Sequence, residues 1–308
     1  MNIVFMGTPD FAVSCLESII NSNHKVQAVF TQPDKPVGRK QILTPSAVKE
    51  YAKIKGIPVY QPESLKDNTA QNIIEQIKPD CVVVVAYGKL IPESMLNFPK
   101  YGYVNVHASL LPEYRGSAPI QWAIVDGKKQ TGVTTMQLDK GMDTGDILEM
   151  SKLDINENET AGELFDRLAI LGAKLIISTL DKLERGELTP VKQDESKATY
   201  AKFIDKQMAF IDFNNDADKI NNLINGFNPW PIAFTTYNSK RLKIYKGLPT
   251  KSNGEKEGTV IKNDSRLIIA CGNNTALEIL ELQLEGSKRM NAEQFLMGNK
   301  IPIGTLLG

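Results

Sequence analysis

From Asp80 to Ala86 the chain runs through Cys81 and four consecutive valines. β-Branched side chains pack well on a pleated surface, and an unbroken apolar run of this length suits a strand covered on both faces. Such a strand sits inside a parallel sheet with helices on either side, which narrows the fold more than any other stretch does. The flanking pattern agrees. Short apolar runs at 2–6, 26–30, 103–107, 132–138 and 147–153 alternate with helical spacing through the first two-thirds of the chain. That is the texture of βαβ units on a parallel sheet. The clearest predicted helix spans 160–185. Thr160 and Glu163 form a capping-box pattern, and Leu164, Leu168, Leu171, Leu175 and Leu183 follow at helical intervals up to a stop at Gly186.

Beyond that helix the texture changes. Residues 188–206 are polar and aperiodic and read as a linker. One helical pattern at 216–227 then precedes short strands at 233–237, 242–246, 258–262, 266–271 and 277–284. Evenly spaced short strands with turn residues between them predict a small β-barrel. The fold class is therefore α/β: a doubly wound, mostly parallel sheet over 1–187, a linker over 188–206, and a barrel over 207–308.

Composition excludes several classes. A chain of 308 residues suits two domains, and 42% apolar with 23% charged residues is a soluble globular balance. The apolar start gives way at once to Gly7-Thr8-Pro9-Asp10, too soon for a signal peptide core. The longest hydrophobic run, at 81–86, is far too short for a bilayer. Cys15, Cys81 and Cys271 are isolated, with no paired spacing for zinc or disulfides. The expectation is a cytoplasmic, reduced, metal-free protein with no membrane partner. A net charge of zero argues against bulk electrostatic binding of nucleic acid, but residues 206–308 carry 13 basic against 10 acidic side chains. Lys240, Arg241, Lys243, Lys246 and Lys251 cluster there; a solvated strand face explains them about as well as an RNA contact.

The chemistry gathers around residues 105–116. Side chains alternate along a strand, so Asn105 and His107 share one face while Val104 and Val106 share the other. An amide and an imidazole at the end of a buried strand are costly unless something uses them. The other of the two histidines, His24, reads as part of a solvated helix terminus. Gly141-Met142-Asp143-Thr144-Gly145-Asp146 follows another strand, and its glycines allow a sharp turn that presents a carboxylate. Asp143, His107 and Asn105 would then lie together at the carboxyl ends of parallel strands. These are the parts needed for an amine to attack an acyl group: a base, a carboxylate that orients and charges it, and an amide for the oxyanion. No nucleophilic cysteine and no Gly-x-Ser-x-Gly elbow accompanies them, which favours direct transfer and leaves Ser109 a binding role. Gly7-Thr8-Pro9-Asp10 holds one of the three glycines of a dinucleotide fingerprint, so a nicotinamide cofactor is disfavoured. The aperiodic loop at 31–40 leaves the same sheet edge with Lys35, Arg39 and Lys40 at its tip; it reads as a lid suited to a phosphate backbone or as a plain solvated loop.

These residues resemble the methionyl-tRNA formyltransferases, a 10-formyltetrahydrofolate-dependent family, over the whole chain. The likeness rests on Gly7-Thr8-Pro9-Asp10-Phe11, Gln32-Pro33-Asp34-Lys35-Pro36, Val85-Ala86-Tyr87-Gly88 and Asn105-Val106-His107 with Ser109-Leu110-Leu111-Pro112. It continues through Arg115-Gly116, Ala118-Pro119-Ile120-Gln121, Asp139 with Gly141-Met142-Asp143-Thr144-Gly145, and Asn228-Pro229-Trp230-Pro231. The resemblance implies a Rossmann-like formyltransferase domain and an open, OB-like barrel. It implies Asn105, His107 and Asp143 as the catalytic trio, with His107 managing the amine proton and Asp143 holding its tautomer. Folate contacts are implied at Ser109, Leu110, Leu111 and Pro112, and at Tyr87, Gly88, Leu90, Ile91 and Asp139. It further implies that the 32–44 loop, with Lys35, Arg39 and Lys40, reaches initiator methionyl-tRNA. The barrel, with Lys240, Arg241, Lys243 and Lys246, would track the tRNA backbone. A monomer is expected. A sugar-nucleotide amine, glycinamide ribonucleotide or water stay open as acceptors within the same chemistry. A non-catalytic folate- or RNA-binding module would leave the trio unexplained.

Overall fold

The valine run lies where its chemistry puts it, as the strand Cys81–Val85 with every residue buried, inside a seven-stranded sheet. The computed structural model describes residues 1–38, 40–299 and 301–308. Two units divide the chain. Met1–Pro119, Gln130–Asp154 and Phe165–Ala201 form the first, and Ile120–Lys129, Ile155–Leu164 and Lys202–Gly308 form the second. Residues 188–201, the polar stretch that follows the long helix, therefore pack within the first unit.

The first unit holds β1 (Asn2–Gly7), β2 (Lys25–Phe30), β3 (Lys35–Val37), β4 (Ile42–Thr44), β5 (Val59–Tyr60), β6 (Cys81–Val85), β7 (Tyr103–His107), β8 (Arg115–Gly116), β9 (Gln130–Gln137), β10 (Ile147–Asp154) and β11 (Tyr200–Ala201). The main sheet runs β10-β9-β7-β6-β1-β2-β5. Its members from β5 to β7 are parallel, while β9 is antiparallel to β7 and β10 to β9. Strand order reverses between β1 and β6, which makes the carboxyl ends of those strands the switch point where such sheets bind ligands. The 32–44 loop is not wholly irregular: β3 and β4 pair as a short ribbon.

Helices cover both faces. Ala70 and Ile74 of α3 (Thr69–Ile77) and Met95 of α4 (Glu93–Leu96) join one core with Val4, Met6, Phe30, Val82, Val84 and Tyr103. On the other face lie α1 (Asp10–Ile20), flanked by α2 (Ala47–Ile54), and the long helix. Phe11 of α1 meets Phe165 edge to face at 5.4 Å, and the Thr135 and Thr179 hydroxyls bond at 2.8 Å. The long helix is α6 (Ala161–Arg185), which belongs to this unit from Phe165 on, while α5 (Pro119–Val125) belongs to the second unit from Ile120 on. The capping box before α6 is formed, with the Thr160 N–H donating to the Glu163 carboxylate at 2.9 Å and the Glu163 N–H returning to the Thr160 hydroxyl at 3.3 Å. Gly186 ends it at φ +69°.

His24 is not a solvated terminus. It is 5% exposed, with Nδ1 at 3.1 Å from the Met1 amine and Nε2 at 3.1 Å from the Asp181 carboxylate of α6. Those partners lie 23 and more than 150 positions away along the chain, so no local pattern announces them.

In the second unit, β12 (Phe234–Tyr237), β13 (Lys240–Lys251), β14 (Val260–Asn263), β15 (Leu267–Cys271), β16 (Thr275–Leu284) and β17 (Met290–Asn291) form one antiparallel sheet. The order is β12-β13-β16-β15-β14, with β17 on β16. Leu242, Ile244, Leu267, Ile269, Leu277 and Ile279 alternate inward onto α7 (Ala217–Gly226) and Phe295 of α8 (Ala292–Gly298). Each fully buried side chain of this size stabilises the unit by roughly 1.5–3 kcal/mol. Asp216 caps α7 by accepting the Lys219 N–H at 2.8 Å. Among the described residues, no helix is long and apolar enough to cross a membrane.

Burial sets the cysteine chemistry. Cys15, Cys81 and Cys271 are all buried and free, and desolvation pushes each thiol up to about 12. A raised native pKa stabilises the fold fully below the unfolded value of about 8.5, and that contribution is lost as pH rises from there toward 12. At pH 8 the native chain therefore leaves a chromogenic disulfide reagent unreacted, and denaturation releases all three thiols. Rapid reaction of even one thiol in the native protein would contradict this burial.

Candidate active site

Val84, Asn105 and Met136 line up across β6, β7 and β9 and so share one face of the sheet. His107 follows two positions later on that same face, opposite Thr134. His107 is 6% exposed, whereas Asn105 is half-buried and its amide takes no hydrogen-bond partner among the described residues.

Two contacts define the imidazole. His107 Nε2 lies 2.9 Å from the Tyr114 carbonyl oxygen, and Nδ1 lies 3.6 Å from Asp143 Oδ2. A carbonyl only accepts, so Nε2 carries a proton, and in the neutral ring the Nδ1 lone pair faces the carboxylate. The separation at Nδ1 is too long for a hydrogen bond in the neutral state. This corrects the sequence expectation, because the Tyr114 carbonyl rather than Asp143 holds the tautomer. Asp143 instead stands with its carboxylate turned toward Nδ1.

The route by which Asp143 arrives also differs from expectation. It does not come from the carboxyl end of a parallel strand, since β9 is antiparallel and its last residue, Gln137, lies opposite Val104. The 138–146 loop folds back toward His107 to deliver the carboxylate. There Asp143 Oδ2 accepts the Gly116 N–H at 2.8 Å. Asp143 itself has φ +54°, the left-handed region that costs a non-glycine residue about 1–2 kcal/mol. Asp139 shapes the same loop, its exposed carboxylate accepting the Gly141 N–H at 2.9 Å and the Thr144 hydroxyl at 2.7 Å.

The loop after β7 is held from beneath. Ser109 is fully buried and its hydroxyl donates to the Glu113 carbonyl at 2.6 Å, so its side chain shapes the turn. Thr134 donates to the Ser109 carbonyl at 2.7 Å and accepts the Leu111 N–H at 3.1 Å. Leu111 is buried, while Leu110 and Pro112 are partly exposed.

At the switch point, Thr8 and Gln32 both donate to the Tyr87 carbonyl at 3.0 Å, which ties β1, β2 and β6 together. The Tyr87 ring enters the core, where burial pushes its hydroxyl up to about 12. Gly88 and Leu90 are exposed, and Ile91 is buried. The β3–β4 ribbon leaves from this edge on a fixed base. Lys49 holds Asp34 at 2.6 Å and Gln61 adds a bond at 2.8 Å, which together keep the Asp34 carboxyl below its ordinary range. Lys35 and Lys40 are exposed on the ribbon, and Arg39 lies outside the described residues.

On the barrel, Leu242 and Ile244 face the core, so Arg241 and Lys243 take the outer face of β13. The Arg241 guanidinium lies over the Phe234 ring at 4.2 Å, and Lys240 and Lys246 are exposed.

One group was given no role from the sequence. Arg115 is fully buried and pairs with Glu195 through two bonds, at 2.9 and 2.6 Å. Glu195 keeps the Arg115 guanidinium charged beyond its ordinary range, and Arg115 lowers Glu195 in turn. Beside them lies Gln193, in a segment whose polar, aperiodic sequence carries no local mark of burial.

A formyl transferase family matches residues 1–180, and the C-terminal domain of formyl transferases matches residues 203–300. The methionyl-tRNA formyltransferase of Caldanaerobacter subterraneus subsp. tengcongensis is 49% identical over 309 residues, covering 100% of each chain. The chain belongs to the methionyl-tRNA formyltransferase family. A second member, from Clostridium novyi, is also 49% identical, again over 100% of both chains. Among solved structures, the N-formyltransferase of Helicobacter canadensis in complex with folinic acid and dTDP-3-aminofucose has a TM-score of 0.68. At 21% identity over 90% of this chain and 98% of that one, it supports the fold. The family's doubly wound sheet and C-terminal half-barrel are the two units described above.

Proposed function

We propose that the chain transfers the formyl group of 10-formyltetrahydrofolate to the α-amine of methionyl initiator tRNA. The observation that carries this reading is the His107 geometry, with Nε2–H spent on a carbonyl and Nδ1 turned toward a carboxylate. In its neutral form that ring is a base with one open site, and an α-amine attacking a formyl carbon has a proton to lose. An α-amine titrates near 7.7–8.0 in peptides, roughly, so a weak base suffices at neutral pH.

The step is a direct displacement. The amine nitrogen bonds to the formyl carbon and the carbonyl π pair moves onto oxygen. His107 Nδ1 takes the amine proton while Asp143 stabilises the imidazolium. The Asn105 amide, on the same face, donates to the oxyanion. Collapse then breaks the bond to folate N10, and the imidazolium returns its proton to that nitrogen. No metal takes part in this sequence.

In this reading residues 1–187 hold the chemistry. The folate lies along Gly88, Leu90 and Ile91, beside the Tyr87 backbone, and along the Ser109–Pro112 turn with Asp139 nearby. Lys35 and Lys40, with Arg39, reach the acceptor end of the tRNA, and residues 207–308 track its backbone through Lys240, Arg241, Lys243 and Lys246. The protein works in the cytoplasm as a monomer.

The test supplies formyl-labelled 10-formyltetrahydrofolate with methionyl initiator tRNA, a dTDP-amino sugar or glycinamide ribonucleotide. Label on the tRNA alone is the expected result, and label on a small acceptor alone would overturn the tRNA assignment. Replacing Arg241 and Lys243 together by alanine raises KM for the tRNA and leaves kcat in place, as loss of uniform binding does. The same variant lowers the salt slope by about one unit per lost phosphate contact. An unchanged slope would free β13 from any such role.

A further inference from the structure

We propose that Gln193 is a positioning residue for this reaction, holding the Asp143 loop against His107 through its side-chain amide. The inference rests on the functional reading above and adds a component that lies 50 positions from Asp143 in the chain.

Every hydrogen-bonding site of that amide is used. Gln193 Nε2 donates to the carbonyl oxygens of Asp143 at 2.8 Å and Gly145 at 2.7 Å. Gln193 Oε1 accepts from Arg115 Nε at 3.0 Å and Nη2 at 2.8 Å. A guanidinium only donates and carbonyls only accept, so the orientation of the amide is determined by its surroundings. The residue is 9% exposed and Arg115 is 0% exposed, so water does not compete for these bonds. Glu195 fixes the far side of the guanidinium.

The clamp grips the carboxylate-bearing residue twice. Gln193 takes the Asp143 backbone, and the Gly116 N–H, next to Arg115, takes Asp143 Oδ2. Arg115 and Gly116 are themselves pinned to Tyr200 and Ala201 as β8 and β11. Residues 193–201 thus hold both ends of the support. Asp143 needs it, because its left-handed backbone relaxes readily when its carbonyl loses a partner. Among the described residues, apart from Arg115 and a 4.0 Å contact to the Met136 sulfur, the Gln193 side chain bonds only to this loop.

Gln193→Met preserves length and burial and removes both donors. The expected result is a kcat lower by about 100-fold, the scale of a misplacement of about 1 Å, with KM for folate and tRNA changed by less than about threefold. A purely structural role is separated by a double-mutant cycle with Asp143→Asn. If Gln193 acts through Asp143, adding Gln193→Met to Asp143→Asn lowers kcat no further. Full additivity, or a Gln193→Met kcat equal to wild type, overturns the proposal while leaving formyl transfer standing. Absence of transfer by the wild-type chain would instead defeat the functional reading. For that case backbone amide NMR decides independently: shifts concentrated at Gly141–Asp146 in Gln193→Met support the clamp, and unmoved loop signals overturn it.

Discussion

Replacing His107 by alanine lowers kcat for formyl transfer by about 100- to 10,000-fold, the range that a positioned proton acceptor supplies. The change also strips the Tyr114 carbonyl of its donor at 2.9 Å, which costs about 1–3 kcal/mol if that oxygen stays buried. A fall in activity from alanine alone therefore mixes chemistry with stability. His107→Gln separates them, because its amide N–H restores the bond to Tyr114 and brings no base. The glutamine variant is expected to melt close to wild type and to be as inactive as alanine. Turnover within about tenfold of wild type in His107→Gln would remove Nδ1 from the mechanism, since nothing else in that side chain takes a proton at neutral pH.

Gly145→Ala is expected to be as damaging without touching a titratable group. A Cβ on Gly145 would stand 1.6 Å from the Gln137 carbonyl oxygen and 2.8 Å from its carbon. Both atoms are backbone at the end of β9, next to the register that pairs Met136 with Ile147, so neither side yields. The loop must move, and Asp143 moves with it. A shift of about 1 Å at a reacting group costs on the order of 100-fold in rate. Gly186→Ala provides the comparison, since its Cβ meets nothing within 4 Å and only the φ of +69° opposes it. That variant loses about 1 kcal/mol of stability and keeps its activity. Equal activities for the two alanine variants would show that the 138–146 loop tolerates displacement.

Both expectations depend on one arrangement that joins two kinds of control. The β7 strand supplies His107 and Asn105 by simple alternation. The carboxylate facing the imidazole comes from a loop held by Gly116, Gln193 and Arg115. The strand is rigid because it is paired on both sides, with β6 and β9. The loop is precise only because distant side chains saturate its carbonyls. This explains why a methyl group at residue 145 and an amide at residue 193 bear on the same atom, Asp143 Oδ2.

The features legible in the order of residues are those governed by near neighbours. Four valines after Cys81 favour a doubly buried strand, because β-branched side chains lose rotamer freedom in a helix and pack well on a pleated surface covered on both faces. Thr160 and Glu163 specify where α6 begins, since the partners of the capping box are three residues apart. Strand alternation alone placed Asn105 and His107 on one face. Tertiary structure decided the rest, and the reason is the range of the contacts. The His107 tautomer depends on a backbone carbonyl that any residue at 114 could supply, so no residue type advertises it. The direction of β9 depends on which neighbour it pairs with, and an apolar run looks alike in either sense. His24 meets Asp181, more than 150 positions on, and Gln193 makes bonds spanning 48 to 78 positions. Short-range chemistry leaves its mark in the order of residues, whereas a buried amide or imidazole acquires its meaning only from the atoms that folding brings around it.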